Sequence, residues 1–487
     1  MKRIITFIIA PAILLFSSLV ASYAQQNNLR SAYFLDGYTY NYRLNPSFAP
    51  ERGFIAFPGI GNAAVGMESN LALSTFLYPT SNGKLTTFLD DSVPDNQFLG
   101  ALRDRNNLNA NLNLNLLALG FRTGRIYHTL DLSLKGNANV NLPKSLFAFL
   151  KTSTAEGGTS WDMSRLGMHA DAYAELAYGF SSSFGDNLRV GARVKVLMGA
   201  LMADVNIDRL SLKMSGEEWA VSSHGNAAVS GPITLGTYEG TDRIDFNQIS
   251  LPSELSEFLT TFTEQKSMGL GLDLGASYDF LDYFTASLSV LDLGFIGWNN
   301  VTEAATPEST WSFDGFEDIS INEDNSLSDH FDQMLDEATQ MIHLNKTLDG
   351  AKSSRTLGAT VHAGIEARLP FYERLSFGLL ASHRFKGAYS WTEGRLSANW
   401  ALMNALSIAA SGAYSNYGTS LGAVLNIHIP LINLYIGLDS FSPMLNVTPD
   451  YYIPIGKINT NLVFGLDFTF GKARSRLRGN LNPADEE

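Results

Sequence analysis

Residues 129–142 read Thr-Leu-Asp-Leu-Ser-Leu-Lys-Gly-Asn-Ala-Asn-Val-Asn-Leu, and this strict alternation leaves the chain few folds to choose from. In a strand, successive side chains point to opposite faces. Leu130, Leu132, Leu134, Ala138, Val140 and Leu142 therefore share one side, while Asp131, Ser133, Lys135, Asn137, Asn139 and Asn141 share the other. The pattern returns at 109–116, where Ala110, Leu112, Leu114 and Leu116 oppose Asn109, Asn111, Asn113 and Asn115. At 169–181, Ala170, Ala172, Ala174, Leu176, Tyr178 and Phe180 oppose His169, Asp171, Glu175 and Ser181. Further copies run through 188–199, 268–280, 357–369, 374–385, 406–415, 419–429 and 461–470. Soluble strands average ~5–6 residues, whereas crossing a bilayer at a tilt takes ~9–11. Several of these segments reach the longer length. They predict an all-β fold: a transmembrane antiparallel β-barrel of about 14 strands (range ~12–16). A soluble array of β-sandwiches is the other all-β reading, and it would use shorter strands.

Lys2 and Arg3 precede an apolar run from Ile4 to Val20, and Ser22-Tyr23-Ala24 offers small residues where a signal peptidase reads. The run is short for a helix crossing the bilayer core, which needs ~20 residues. Residues 1–24 therefore read as a signal peptide cleaved after Ala24. Residues 25–52 read as a periplasmic N-terminal segment, 53–471 as the barrel and 472–487 as a polar C-terminal tail. No later stretch approaches ~18 uninterrupted apolar residues, so any membrane span of the mature chain is β. The sequence has no cysteine, which excludes disulfides, thiolate metal sites and a lipidated N-terminal cysteine. A net charge of −14 argues against a nucleic-acid partner, which would require a basic face. The expected surroundings are outer-membrane lipid and the barrel-assembly machinery.

Connections alternate in length. Short turns are expected at 122–125, 184–187, 281–283, 370–373 and 402–404, and long excursions at 140–168, 217–266, 296–356 and 441–460. Outer-membrane barrels keep short turns in the periplasm and long loops outside. Aromatics bunch beside the short turns: Phe121 and Tyr127, then Tyr178, Phe180 and Phe184, then Phe280, Tyr283 and Phe284, then Phe371, Tyr372 and Phe377. That is the placement of an interfacial girdle. Apolar residues at helical spacing predict short loop helices at 144–151, 251–265 and 326–345.

The last strand carries Gly465, Phe468 and Phe470 in a Gly-x-x-aromatic-x-aromatic order, which looks like the C-terminal signal read by the assembly machinery. It departs from that pattern at Val463, where a polar residue is usual, and in the tail after Phe470. Nearer the N-terminus stand Ser31-Ala-Tyr-Phe-Leu-Asp-Gly-Tyr38, Arg43-Leu-Asn-Pro-Ser-Phe-Ala-Pro50 and Gly53-Phe-Ile-Ala-Phe-Pro-Gly59. With Leu142-Pro-Lys-Ser-Leu-Phe-Ala-Phe-Leu150, they resemble a family of uncharacterised Gram-negative outer-membrane barrels. More distantly the chain is similar to long-chain fatty-acid transporter barrels and to porin-like proteins associated with type IX secretion. Those share an Asn-Pro element before the first strand, here Asn45-Pro46. The resemblance implies a fold and a location and brings no catalytic residues. By analogy with the fatty-acid barrels it makes Asn45 and Pro46 a candidate hatch.

No Gly-x-Ser-x-Gly elbow or His-Glu-x-x-His helix accompanies His169, His362 or His383, so no enzyme, catalytic residue or cofactor is expected. The acidic stretch 303–337 lacks the spacing of a calcium loop, and no metal site is expected. The wet faces say more. Asp171 and Glu175 on one strand should face Arg189, Arg193 and Lys195 on the next, with His362, Glu366, Arg368 and Arg384 on another part of the wall. Such a set is either a salt-bridge ladder that stiffens or plugs the lumen, or a selectivity ring. Two functions follow. One is a passive conduit or binding barrel for a hydrophobic or amphipathic small molecule. The other is a non-transporting cell-surface scaffold or secretion-associated barrel whose loops bind a protein partner. A continuous apolar cleft would favour the first, a closed lumen the second.

Overall fold

The structure is a computed structural model that describes residues 29–471 apart from 59–60, 81–84, 91, 153–159, 216–217, 251–259, 261–263, 308–310, 314–342, 442–444, 448–451 and 455–456. It is a closed antiparallel barrel of 14 strands. β1 is Gly53–Ala56 continued by Ala63–Ala72, β2 is Arg105–Thr123, β3 is Ile126–Pro143, β4 is Leu166–Phe184 and β5 is Leu188–Ser215. β6 is Glu218–Ser230 continued by Ser267–Phe280, β7 is Phe284–Ala305, and β8 is Asn345–Thr356 continued by Thr360–Leu369. The wall finishes with β9 (Tyr372–Arg384), β10 (Trp391–Met403), β11 (Leu406–Ser415), β12 (Gly418–Ile429), β13 (Ile432–Phe441) and β14 (Lys457–Phe470). Each strand pairs with its sequence neighbour, and β14 returns to β1 through Gly53↔Phe470 and Ala63↔Phe464. Closure removes the exposed edges that a lipid-facing sheet could not satisfy.

The two faces divide as the alternation requires. On β4, Leu176 is 42% exposed and its neighbour Glu175 is 2% exposed. Leu130, Leu134 and Phe464 lie on the same outer face, partly exposed, between buried polar or small neighbours. Tyr178, Phe180, Phe184, Phe284, Phe371, Tyr372 and Phe377 are exposed near the short turns. Tyr127 departs from the expected girdle: it points inward, 1% exposed, and its hydroxyl donates to the Arg52 carbonyl at 2.7 Å.

The strands run further than the sequence periodicity suggested. β5 has 28 residues and β7 has 22, well beyond the ~9–11 that a bilayer requires. The surplus projects at the long-loop end. There the outer-face residues Ala138, Val140, Met168, Ala170 and Ala203 are covered by protein, through Ile233 and Leu235 of the insertion within β6, so lipid does not reach them. The helix expected at 144–151 is present as Lys144–Thr152. Its Phe147 joins Phe88, Phe98 and Leu71 in a cap cluster with the unanticipated helix Asp95–Ala101. The stretches 251–265 and 326–345, and the acidic residues Glu317, Asp318, Glu323, Asp324, Asp332 and Asp336, fall wholly or largely outside the described residues.

Candidate functional site

The lumen is not a free channel. The sequence set residues 25–52 in the periplasm, but residues 29–50 lie inside the barrel, and nearly every one of them is buried. The segment contains two 3₁₀ turns, Arg30–Ala32 and Thr39–Arg43. It touches the wall on almost every side. Arg30 pairs with Glu68 of β1, Glu393 of β10 and Asp439 of β13. Asp36 takes both guanidinium nitrogens of Arg368, at 2.8 and 3.0 Å. Arg43 bonds Asp131 of β3 at 2.5 Å, and the Tyr42 hydroxyl donates to the same carboxylate at 2.7 Å. Burial pushes the Tyr42 hydroxyl far above its ordinary range, so it stays a donor.

The wall is shaped to receive this plug. A Cβ at Gly191 would fall on the Pro46 carbonyl, and one at Gly275 on the Asn45 side chain. Phe34 sits against Gly364 and Gly378, Ser31 against Gly422 and Leu29 against Gly437. Glycine on the inward face lets another backbone approach closely. Asn45 donates to Tyr33 at 3.1 Å and accepts from the Ser47 amide at 3.0 Å within the plug, and its amide nitrogen also lies 3.4 Å from the Ala276 and Leu288 carbonyls, which fixes the Asn-Pro corner against β6 and β7.

The sequence-derived charge set is found in separate groups. Glu175 lies 4.0 Å from Arg193 and 3.8 Å from Lys195. These three form one network with Lys135, Asp131, Asp273 and Asp292: Lys135 bonds Glu175 at 2.6 Å, Arg193 bonds Asp131 and Asp273 at 2.9 Å, and Lys195 bonds Asp292 at 2.6 Å. Arg189 stands apart, bonded to Asp279 at 2.8 Å. Asp171 pairs with His169 and Lys386. Glu366 lies 3.1 Å from Arg368, and His362 bonds Ser382. The Arg384 side chain makes no ion pair or hydrogen bond among the described residues and lines a cavity instead. Alternation had already put Asp131 and Lys135 on the wet face. Asp292 had no such signal, since it turns inward at a bulge with φ 58°. Arg30 and Arg43 precede the first strand, where no periodicity exists to place them.

Between the plug and the turns of the long-loop end lies a polar cavity of about 60 Å³. Its walls include Arg30, Leu44, Arg384, Trp391, Tyr417 and the asparagines of β2 and β3. A second, enclosed void of about 20 Å³ lies within the charge network. Neither is a continuous apolar cleft. Gly465 faces inward and Phe468 and Phe470 outward, at the seam with β1.

The family described as a family of unknown function (DUF5723) matches residues 46–439. The chain belongs to this family. The DUF5723 match begins at Pro46 and covers the first strand and the Leu142–Leu150 motif, while Asn45 and the Ser31–Tyr38 motif lie before it. The toluene transporter TodX of Pseudomonas putida is 10% identical, over 91% of this chain and 96% of that one, with a TM-score of 0.38. The toluene transporter TbuX of Ralstonia pickettii is 9% identical, over 91% and 93%, with a TM-score of 0.39. A FadL homologue of Pseudomonas aeruginosa is 12% identical, over 92% and 99%, with a TM-score of 0.39. Likenesses this low carry no inference about substrate or mechanism. No curated protein matches this DUF5723 chain.

Proposed function

We propose that this chain is an outer-membrane barrel, delivered by a signal peptide cleaved after Ala24, that binds an amphipathic small molecule in its lumen and passes it only when residues 29–50 shift. The short turns then face the periplasm. One observation carries the reading: a cavity that joins charged and amide groups to Leu44, Leu291 and Trp391 stands directly against a docked plug. A purely hydrocarbon ligand would strand those polar groups, so the amphipathic side of the expectation is the better supported. The test is uptake of a membrane-impermeant fluorescent amphiphile by proteoliposomes. Uptake above the protein-free background is expected, and uptake equal to it removes the conduit.

The scaffold reading has one observation in its favour. Strands such as β5 carry the wall well past any bilayer and build a protein surface at the long-loop end. If the barrel fails to take up the amphiphile and also fails to bind it, the scaffold becomes the better account.

A further inference from the structure

The short-turn rim carries apolar side chains where a loop in water would carry polar ones. Leu281 is 75% exposed, Phe371 84% and Leu431 69%, each at the tip of its turn, while Phe184 and Met403 end the strands that lead into two more. Both leucines also hold a backbone that disfavours them. Leu281 has φ 49° and Leu431 φ 79°, the left-handed region that a turn normally fills with glycine or asparagine. Leu431 follows Pro430 in the two-residue link between Ile429 and Ile432, the position of a type II turn that most demands such a residue. A leucine there strains the chain and presents a side chain that touches little protein. In water nothing offsets that strain, whereas an apolar tip in a lipid interface is stabilised by its surroundings. Among the described residues, such tips mark five of the six short turns and so ring the barrel. A protein partner would call for one contiguous patch, but a bilayer leaflet meets the whole circumference.

The sixth turn, between β2 and β3, breaks the pattern. It reads Arg122-Thr-Gly-Arg125 and stands beside the closure seam. The Arg122 guanidinium lies 5.2 Å from the centre of the Tyr127 ring, whose hydroxyl bonds the Arg52 carbonyl one residue before Gly53 pairs with Phe470. The Arg125 side chain makes no ion pair or hydrogen bond among the described residues. Gly471 leaves the wall at this same sector, and the sequence beyond it, Lys472-Ala-Arg-Ser-Arg-Leu-Arg478, has four cations and no acid. Glu51 offsets one of the charges here, while Asp186, Asp282 and Glu373 sit on or beside other turns. A chain of net charge −14 thus concentrates cations at and just beyond one point of its rim. Arginine offers a planar fork of donors that matches phosphate oxygens, and a basic run beside a membrane is drawn to anionic headgroups.

We propose that the short-turn rim is seated in the headgroup layer of a phospholipid leaflet, and that Arg122, Arg125 and the 472–478 run bind anionic phosphodiester headgroups there. The proposal uses the orientation with short turns in the periplasm but not the conduit, so solute uptake and lipid selectivity succeed or fail independently. The test places the full barrel in phosphatidylcholine vesicles with a fluorophore on a single introduced cysteine, Thr123→Cys or Leu281→Cys, in a chain that has no other. The quenchers are phosphatidylglycerol or phosphatidylcholine with a nitroxide near the top of the acyl chain, and aqueous iodide. At Thr123→Cys the phosphatidylglycerol should quench with at least about threefold higher apparent affinity than the phosphatidylcholine. At Leu281→Cys both lipids should quench and iodide should not. Arg125→Gln with Lys472→Gln, Arg474→Gln, Arg476→Gln and Arg478→Gln should bring the preference at Thr123→Cys to about one. Sodium chloride near 1 M, where the Debye length is ~3 Å, should do the same without any mutation and so covers a variant that fails to assemble. Equal quenching by the two lipids at Thr123→Cys overturns the anionic site, and sedimentation of that same barrel with purified peptidoglycan would assign the cations to the cell wall instead. A preference that neither the glutamines nor salt diminish overturns the assignment to these residues. Iodide quenching at Leu281→Cys overturns the seating of the rim.

Discussion

At the scale of single residues, Asp131 ties the plug to the wall. Its carboxylate receives Arg43 and the Tyr42 hydroxyl from the plug and Arg193 from β5, with 1% of its surface exposed. Three donors on one buried acceptor hold a geometry more than they add net stability, because desolvation of the ions offsets much of their attraction. Removing the acceptor is another matter, since it takes the carboxylate from the buried Arg43 guanidinium of the plug, while Arg193 keeps Asp273. Asp131→Asn should cost about 3–5 kcal/mol of plug docking. Limited proteolysis of the N-terminal segment in the purified barrel checks this; protection equal to the wild type would show that Asp131 does not hold the plug. Period-two parity alone placed Asp131, Glu175, Arg193 and Lys195 inward. It could not reveal that Asp131 serves the plug, because Arg43 belongs to a stretch with neither strand nor helix periodicity. The inward glycines were the legible trace: Gly191, Gly275 and Gly378 occupy wet-face positions where a pore would carry side chains.

At the scale of elements, strand existence was legible and strand length was not. The alternation of β3 continues unbroken into a region where lipid is replaced by the insertion of β6, and both coverings ask for apolar residues on the same face. Sequence pattern cannot tell the two apart. The seam between β14 and β1 raises a similar question about Phe470. Its ring lies over Gly53, where a Cβ would collide with it, so the aromatic covers a bare backbone at the point of closure. The same residue ends the candidate assembly signal. We propose that the signal role is the larger one, and the two roles separate by experiment. Phe470→Ala should lower the amount of heat-modifiable barrel assembled in cells severalfold, while protein refolded in detergent keeps wild-type heat stability. An equal loss in the refolded protein would assign the effect to the seam.

At the scale of the whole molecule, closure and occlusion are the two facts that any transport must reconcile. The barrel has no edge through which a solute could slip between strands, and among the described residues its lumen holds voids of about 60 and 20 Å³ beside a segment anchored to β1, β3, β8, β10 and β13. Passage of an amphiphile therefore requires the plug to leave its glycine sockets while the wall stays whole. The chain has no cysteine of its own, so a disulfide can be introduced without competition. A Cβ at Gly422 would touch the Ser31 hydroxyl, which puts Ser31→Cys and Gly422→Cys within reach of one bond, given the ~3.5–4.5 Å between Cβ atoms that a disulfide spans. The oxidised pair should bring amphiphile uptake in proteoliposomes down to the protein-free background, and dithiothreitol should restore it. Undiminished uptake through the oxidised barrel would mean that the segment is a fixed part of the wall and that the solute takes another route.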